Sequence, residues 1–469
     1  MICYLRYIFI LLVLLIGHSG GSELGSTGIS GSLRSGLAAA GSPREFFELL
    51  GDSEEFKESV WQKRPLLIKG ALKCKGDDEL FNLKDLYDAC PTFAAGHVTE
   101  SGIDGSKEGL VGGGGGGGGS TWVFRPLNPN QLRGEPLQTS HVQDAVRARP
   151  PSTISFNTAG SLFPKVGELC LSAIGGLRYP VNVNLYITPQ VTEEEADVCG
   201  KIVPLHTDRQ DVVVFQTKGK KRWKVYPKPA MKRGVDPCSR GKAGDVVGRE
   251  EISEVGCLDC VLEEGDVLYV PMGWAHETAT PYLKKGEEKR GALPPVSVHL
   301  TLGVDTVVWG LTYAHLRWGV LSYCGLDYKL DMSGVEDEAY WQTMQALPFG
   351  FLRRDDEEIA DNLLGLIERL EPKRKKRNMP SKKDAVKVVG IFREHCNELL
   401  KVQEVMYNDA DPNSVEAMVK AVKSTRELDV LMSRLGASVF SEEFRKAHMK
   451  KVEAADARLA AAGGGETLT

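Results

Sequence analysis

The sequence predicts a mainly β protein with a double-stranded β-helix (jelly-roll) core, flanking helices and an all-α C-terminal domain. Between residues 181 and 302, short runs of β-branched and aromatic residues are separated by glycine-containing turns, which is typical of strands. Polar and apolar residues alternate within these runs, as expected for strands with two unlike faces. Beyond residue 330 the apolar residues recur at helical spacing.

Two strand–turn–strand units define the predicted barrel. Residues 212–226 enclose the turn Lys218-Gly219-Lys220, and residues 262–271 enclose a Gly-Asp turn. Residues 181–187 and 297–302 each alternate between a polar and an apolar face. A surface strand gives the same pattern with its polar face in water. We favour a barrel with a polar pocket inside and helices outside, because these strands flank candidate metal ligands.

Two histidines and one aspartate are the candidate ligands. His206 and Asp208 lie two residues apart on an extended segment, so their side chains point to the same face. His276 lies just beyond the predicted strand that ends at residue 270. Two imidazoles and one carboxylate occupy one face of an octahedral Fe(II) and leave three positions free. An isolated H-x-D is common by chance, and only the surrounding strands make it informative.

Several stretches occur in an order that resembles a known family. They are Trp-Gln-Lys-Arg-Pro-Leu-Leu-Ile at residues 61–68, Asn-Leu-Tyr-Ile-Thr-Pro at 184–189, the metal motif, and the strands at 219–226 and 297–302. From about residue 44 to residue 354 the chain resembles a JmjC-type Fe(II)/2-oxoglutarate oxygenase, closest to the ribosomal oxygenase branch. The resemblance implies a cupin-type barrel that binds Fe(2+), 2-oxoglutarate and O2.

The resemblance implies roles for individual residues. His206, Asp208 and His276 match the iron ligands, and Lys221 matches the lysine that pairs with the distal carboxylate of 2-oxoglutarate. A dicarboxylate held by iron at one end needs a cation or hydrogen-bond donor at the other. The nearby basic residues compete for this role, but only Lys221 shares a strand face with Trp223.

Four further residues match polar positions of the family's cosubstrate pocket. Asn184 and His299 are the stronger matches, and Ser297 and Tyr186 are the weaker ones. The alternative for each is a core polar group that already has a hydrogen-bond partner.

The implied activity is hydroxylation of a histidine or arginine side chain in a ribosomal protein. One alternative is demethylation of methyl-lysine in a histone by the same oxidative chemistry. Another is a non-catalytic JmjC scaffold, against which the complete set of ligands and Lys221 argues. Cupin isomerases share the barrel, but their chemistry gives no reason for the context of Lys221 and Asn184.

The 469 residues are predicted to form five segments. These are a signal-like or anchor segment (1–20), a disordered Gly/Ser linker (21–41), the catalytic domain (42–330), a helical dimerisation-type domain (331–459) and a disordered tail (460–469). Inside the catalytic domain lie a Gly-rich insert (111–120) and two polar inserts (228–256 and 282–295), which are expected around the substrate mouth. The resemblance implies a homodimer through the C-terminal helices, followed by a winged-helix domain. The sequence shows no strand pair typical of that domain, so we expect it to be reduced or absent.

Charge and targeting signals constrain the partners and the location. A net charge of −5 gives no sign of a general nucleic-acid-binding surface, so we predict a protein substrate and no direct nucleic-acid binding. The resemblance and a basic run at residues 373–377 favour the nucleus or nucleolus. An apolar run at residues 8–16 favours the secretory pathway or an organelle instead, unless the start codon is misassigned. The ten cysteines form no disulfide pattern.

Overall fold

The computed structural model describes residues 29–72, 80–89, 99–101, 121–124, 143, 146, 153–190, 203–232, 235–241, 245–281, 295–327, 337–371, 374, 378–411 and 414–439. The predictions for residues 1–20, 111–120 and 460–469, and for nearly all of 282–295, lie outside these ranges. Of the helices within them, none is both long enough and apolar enough to cross a bilayer.

The strands of the described residues form two sheets. They are β1 (Leu66–Ile68), β2 (Thr99–Ser101), β3 (Thr121–Phe124), β4 (Thr153–Phe156), β5 (Val181–Pro189), β6 (Val203–His206), β7 (Asp211–Lys218), β8 (Lys221–Tyr226), β9 (Leu258–Leu262), β10 (Val267–Val270), β11 (Ala275–Ala279) and β12 (Val296–Val304). The larger sheet has the order β1-β10-β7-β12-β5-β4-β3-β2, and the smaller has the order β6-β11-β8-β9. Every pair is antiparallel except β3 with β4.

The two faces of the larger sheet differ as the alternation predicts. Leu185, Phe215 and Leu300, on the outer face of β5, β7 and β12, belong to the main hydrophobic core that includes the helices. Val214, on the other face of β7, packs with Trp223 of the smaller sheet in a second apolar cluster. The two sheets therefore enclose a barrel interior, and the predicted jelly-roll core with flanking helices is confirmed.

Helices cover the outer face of the larger sheet and continue to the end of the described chain. They are α1 (Gly31–Ala39), α2 (Pro43–Asp52), α3 (Glu54–Ser59), α4 (Leu83–Ala89), α5 (Pro164–Leu177), α6 (Tyr313–Tyr323), α7 (Asp337–Met344), α8 (Asp356–Leu370), α9 (Lys382–Asn408) and α10 (Val415–Val439). Phe46 and Phe47 of α2 contact Phe215 of β7, with ring centroids 6.1 and 6.0 Å apart. Edge-to-face contacts of this kind join the helical layer to the sheet.

The prediction of a disordered linker at residues 21–41 is wrong for its second half. Residues 31–39 form α1, whose N-terminal residue Ser30 accepts a hydrogen bond from the Leu33 amide through its side chain. Leu37 of this helix is fully buried in the main core. The Gly- and Ser-rich composition suggested disorder, but the segment contains an N-capped helix with enough apolar residues to pack against the main core.

The C-terminal segment is helical as predicted, and it packs directly against the barrel. Val181 at the start of β5 exchanges two hydrogen bonds with the Gln403 side chain of α9, at 2.9 and 3.0 Å. Tyr407, one turn later, donates its hydroxyl to the Val181 carbonyl at 2.5 Å. Phe392 and Cys396 of the same helix belong to the main core. Helix α9 is therefore part of the scaffold that holds the barrel.

Close contact between α2 and α5 yields a stability prediction. A Cβ atom at Gly176 would lie 2.3 Å from the Phe47 carbonyl oxygen, whereas a Cβ at the adjacent Gly175 meets nothing within 4 Å. Gly176→Ala should therefore lower the free energy of unfolding by about 1–3 kcal/mol through overpacking. Gly175→Ala should leave it unchanged or raise it by up to about 1 kcal/mol. Urea unfolding of both variants tests this, and equal effects would contradict the close packing.

Candidate metal centre

The pairing of β6 with β11 brings the two candidate histidines together. His206 is the last residue of β6, and the antiparallel register places it opposite His276. His276 lies beyond the end of β10, as the sequence predicts, and is the second residue of the next strand, β11. Asp208 follows β6 by two residues. One potential ligand atom from each of the three residues lies within 4.8 Å of the others.

The distances and hydrogen bonds show that the cluster is preformed. Asp208 Oδ2 lies 3.7 Å from His206 Nε2 and 3.3 Å from His276 Nε2. The Nδ1 atom of His276 lies 3.1 Å from the Trp274 carbonyl, a contact that assigns the proton to Nδ1 and leaves the Nε2 lone pair facing Asp208. The Gly273 amide donates to the Asp208 carbonyl at 3.0 Å, which ties the two ligand-bearing loops together.

The ammonium of Lys221 is buried inside the same barrel. Its side chain is 1% exposed, and Nζ donates to Thr188 Oγ1 at 3.1 Å and to Thr280 Oγ1 at 3.2 Å. Within the described part of the chain, no carboxylate pairs with it. Burial lowers the pKa of Lys221 to about 7 because the charged form loses its hydration. The neighbouring Arg222 points outward to Asp259, as the strand alternation predicts.

Aromatic rings connect the ligand cluster to the other predicted pocket residues. Trp223 stacks on His276 with centroids 5.8 Å apart and meets His299 edge-on at the same distance. His299 in turn stacks on Tyr186 at 5.0 Å. Burial and the cation of Lys221 hold the pKa of His299 well below its usual value, so the ring is neutral. The structure thus brings these predicted residues to one interior surface.

Several buried polar atoms on this surface have no hydrogen-bond partner within the described part of the chain. They include Nδ1 of His299, Nε1 of Trp223 and Oγ1 of Thr278. An unpaired buried donor or acceptor destabilises a fold by about 1–3 kcal/mol. Such atoms therefore favour an interior that binds a polar ligand.

Asn184 and Ser297 both have protein partners. Asn184 Oδ1 accepts from the Thr158 amide at 3.3 Å, and the Ser297 hydroxyl accepts from Gln216 Nε2 at 3.0 Å. Desolvation, with a smaller contribution from the Asp208 carboxylate, raises the pKa of Tyr186 to about 12. The cosubstrate roles of these residues stay predictions, and for Ser297 the alternative of a satisfied core polar group describes the contact observed.

Sequence reasoning assigned no site role to three residues that shape this interior, although it placed Trp223 on the strand face of Lys221. Thr188 and Thr280 are the partners of Lys221, and Trp223 separates His276 from His299. The available signal was the period of two in strands: Thr280 follows His276 by four residues, and Trp223 follows Lys221 by two.

Comparison with known proteins agrees with the geometry. The family model for the JmjC domain matches residues 173–285, a segment that contains His206, Asp208, Lys221 and His276. Residues 173–285 are a JmjC domain. The recognition made from the sequence motifs is confirmed for this segment.

The curated relatives that this chain matches are longer than the matched segment by a factor of about three or more. The chain is 31% identical over 184 residues to the bifunctional lysine-specific demethylase and histidyl-hydroxylase NO66 of Drosophila mojavensis, covering 39% of this chain and 17% of that protein. It is 30% identical over 210 residues to the protein of the same name from Dictyostelium discoideum, covering 45% of this chain and 34% of that protein. The matched segment thus spans 17% and 34% of these two relatives.

The solved structures similar to this chain include ycfD of Escherichia coli. The alignment covers 72% of this chain and 70% of that chain, at 16% identity and a TM-score of 0.34. A structure described as the ribosomal oxygenase YcfD in complex with cobalt and 2-oxoglutarate is also similar, with 16% identity and a TM-score of 0.29 over 69% of this chain and 67% of that chain.

The buried ammonium predicts a specific pH dependence of stability. Unfolded Lys221 holds its proton up to about pH 10.5, whereas the folded form loses it near pH 7. Between these values the unfolded state binds more protons, so this residue makes the free energy of unfolding rise with pH. Below pH 7 both states are protonated and the destabilisation is constant.

Lys221→Met should therefore raise the free energy of unfolding at pH 7. It should also remove most of the increase in this free energy between pH 7 and 10.5. Lys220→Met is the matched control, because Lys220 is exposed at the β7–β8 turn and pairs with Glu263. Urea unfolding across this pH range is the measurement. An unchanged slope in Lys221→Met would show that the ammonium is not desolvated.

Proposed function

We propose that this chain is an Fe(II)- and 2-oxoglutarate-dependent protein hydroxylase. One observation carries the proposal: the His206, Asp208 and His276 cluster and the Lys221 ammonium face the same barrel interior. Trp223, on the same face of β8 as Lys221, contacts His276 directly. A metal-binding set and a separate, uncompensated cation are the two groups needed to bind a chelating dicarboxylate at both of its ends.

The donor set fits iron. Two neutral imidazole nitrogens and one carboxylate oxygen are the ligands of facial-triad Fe(II) oxygenases, which keep three coordination positions for cosubstrate and oxygen. The Trp274 carbonyl orients His276, as a hydrogen-bond acceptor behind a metal-bound imidazole does. The side chains of His206 and Asp208 are 13% and 20% exposed, whereas that of His276 is buried, so the cluster is accessible from the side of His206 and Asp208.

The interior also fits 2-oxoglutarate. The distal carboxylate of this cosubstrate would supply the anion that Lys221 lacks, with the hydroxyls of Thr188 and Thr280 completing the site. The unpaired His299 Nδ1 and Trp223 Nε1 atoms offer further polar contacts in the same space. Pairing would raise the pKa of Lys221 back towards its ordinary value and remove the burial penalty.

When bound, iron, 2-oxoglutarate and O2 supply the oxidising power for insertion of oxygen into a C–H bond. The residues of this chain bind and orient the reactants. His206, Asp208 and His276 fix the metal, and Lys221 fixes the far end of the cosubstrate. The apolar cluster around Trp223 excludes water from the interior, which strengthens these charge interactions.

The proposed substrate is a histidine or arginine side chain in a ribosomal protein. The family resemblance supports it, and the name of the curated relatives includes histidyl-hydroxylase. That name also includes lysine-specific demethylase, which favours histone methyl-lysine as the second candidate. Both reactions use the same site and differ only in the C–H bond presented to it.

The wider assignments are also proposals. A homodimer through the C-terminal helices, the absence of direct nucleic-acid binding and a nuclear or nucleolar location rest on the resemblance and on the net charge of −5. Sedimentation of the full chain tests the dimer, and a monomer at micromolar concentration would contradict it.

Conversion of 2-oxoglutarate to succinate is the decisive test of the proposed activity. Wild-type protein loaded with Fe(II) should form succinate, and His206→Ala should lose this turnover because one of three metal ligands is removed. His315→Ala is the control, since His315 lies at the start of α6 and contacts Thr312. No iron-dependent turnover in the wild type, with ribosomal and histone peptides present, would favour the scaffold alternative.

The role of Lys221 predicts a selective kinetic defect. Lys221→Met should raise the KM for 2-oxoglutarate by about 10-fold to 100-fold, the value of one hydrogen bond to a charged group. Lys220→Met should leave it unchanged. Equal KM values in both variants would exclude Lys221 from cosubstrate binding.

Product analysis separates the two candidate substrates. Mass spectrometry of the ribosomal peptide should show the gain of one oxygen atom, whereas demethylation of a histone peptide would release formaldehyde and shorten the side chain by one methyl group. Formaldehyde release without peptide hydroxylation would make the demethylase the correct assignment.

A further inference from the structure

The described residues of the insert at 228–256 (228–232, 235–241 and 245–256) pack against the outer face of the smaller sheet, behind the strands that carry the candidate ligands. Val247 of this insert contacts Leu205 of β6 and Ala275 of β11 in one apolar cluster. Each of these two residues immediately precedes a candidate ligand histidine in the chain. Because neighbouring strand residues point to opposite faces, the insert contacts the outer side of the strands that carry the ligands inside.

The strongest contact is a hydrogen-bonded clamp on Thr207, the residue between His206 and Asp208. The Thr207 amide donates to the Arg240 carbonyl at 3.0 Å, and the Arg240 amide donates to Thr207 Oγ1 at 2.8 Å. The Thr207 hydroxyl donates to the Pro237 carbonyl at 3.0 Å. Thr207 is completely buried, so these contacts are shielded from water. The insert therefore fixes the backbone that spaces the two ligands.

Arg240 holds the clamp itself in shape. Its side chain is 0% exposed, and Nε donates to Asp245 Oδ2 while Nη2 donates to Glu251 Oε2, each at 2.6 Å. A third contact reaches the Ala230 carbonyl at 3.4 Å. A buried guanidinium requires such partners, and removal of one member of the network leaves the others unpaired. The Arg240 side chain thus connects Ala230, Asp245 and Glu251 of the insert through hydrogen bonds.

Gly241 brings the insert into contact with the ligand strand. Its φ of +72° favours glycine, and a Cβ atom there would lie 2.3 Å from the Leu205 carbonyl oxygen and 2.9 Å from His206 Cα. The backbone of the insert therefore rests against the backbone of His206 with no space for a side chain.

A second attachment holds the strand of the third ligand. Arg249 makes a two-pronged ion pair with Glu277, which follows His276, at 2.9 and 2.7 Å. The Tyr226 hydroxyl donates to the same carboxylate at 2.8 Å. The Glu277 side chain is 7% exposed, so this pair is shielded on the carboxylate side. Both ligand-bearing strands are thus held from outside by one insert.

We infer that the insert at 228–256 is a positioning element of the metal centre, and that Arg240 is a positioning residue that acts through Thr207 on His206 and Asp208. The inference rests on the proposed function only in that these residues bind a divalent metal. Metal affinity depends on ligands held close to their final geometry, and loss of supporting contacts outside the ligand shell typically weakens it 10-fold to 100-fold.

Titration with Co(II) tests the inference without turnover. Wild type should bind Co(II), monitored by its ligand-field absorption, and His206→Ala should not. Arg240→Met should weaken binding by about 10-fold to 100-fold. Arg317→Met is the matched control, because Arg317 is a buried arginine of α6 that pairs with Glu371 in the helical region. The Arg317→Met variant should have a lower free energy of unfolding but the wild-type affinity for Co(II).

Thr207→Val is the milder variant in case Arg240→Met fails to fold. It keeps the shape of the side chain and deletes both hydroxyl hydrogen bonds, so it should weaken Co(II) binding, whereas Thr207→Ser should retain it. Wild-type affinity in folded Arg240→Met and Thr207→Val would overturn the inference, as would an equal loss in Arg317→Met. A wild type that fails to bind Co(II) would instead overturn the metal centre and the proposed function with it.

Discussion

The antiparallel register between β6 and β11 is the constraint on which the candidate site depends. It places His206 opposite His276 and so brings together residues that are far apart in the chain. The pairing of β11 with β8, together with the alternation of strand side chains, directs Thr280, four residues after His276, towards Lys221 of β8. A slip of one residue would turn this whole set to the outer face. The metal-binding and cation-binding ends of the interior therefore form or fail together.

The two sheets are supported by different means. Helices α2, α5 and α9 bury the outer face of the larger sheet in the main core, and the Gln403 and Tyr407 side chains fix the start of β5. The smaller sheet carries the candidate ligands and is covered by a polar insert held by buried charge pairs. Apolar packing is non-directional, whereas a hydrogen-bonded charge network specifies one arrangement of its members. The support closest to the ligands is thus the more directional of the two.

Most residues of the candidate site could be predicted from the sequence, whereas fewer of the contacts that support them could be. Alternation in β5 and β12 predicted the inner faces correctly, because a period of two is a local property of a strand. The helix at 31–39 was missed because four of its nine residues are Gly or Ser, although Leu37 supplies the buried contact. The role of Arg240 could not be predicted, since its contact with Thr207 joins residues 33 positions apart through backbone atoms that no side-chain pattern reveals.

The polar atoms of the interior argue against a purely structural role for the barrel. A scaffold would be more stable with apolar residues in place of Lys221 and His299, because an uncompensated ammonium and an unpaired imidazole nitrogen both destabilise a dry interior. A ligand that pairs with these groups binds only the folded state and therefore stabilises it, by an amount that grows with the logarithm of its concentration once this exceeds the Kd. The buried ammonium and the unpaired imidazole nitrogen are therefore better explained by a binding site for a polar ligand than by a structural role.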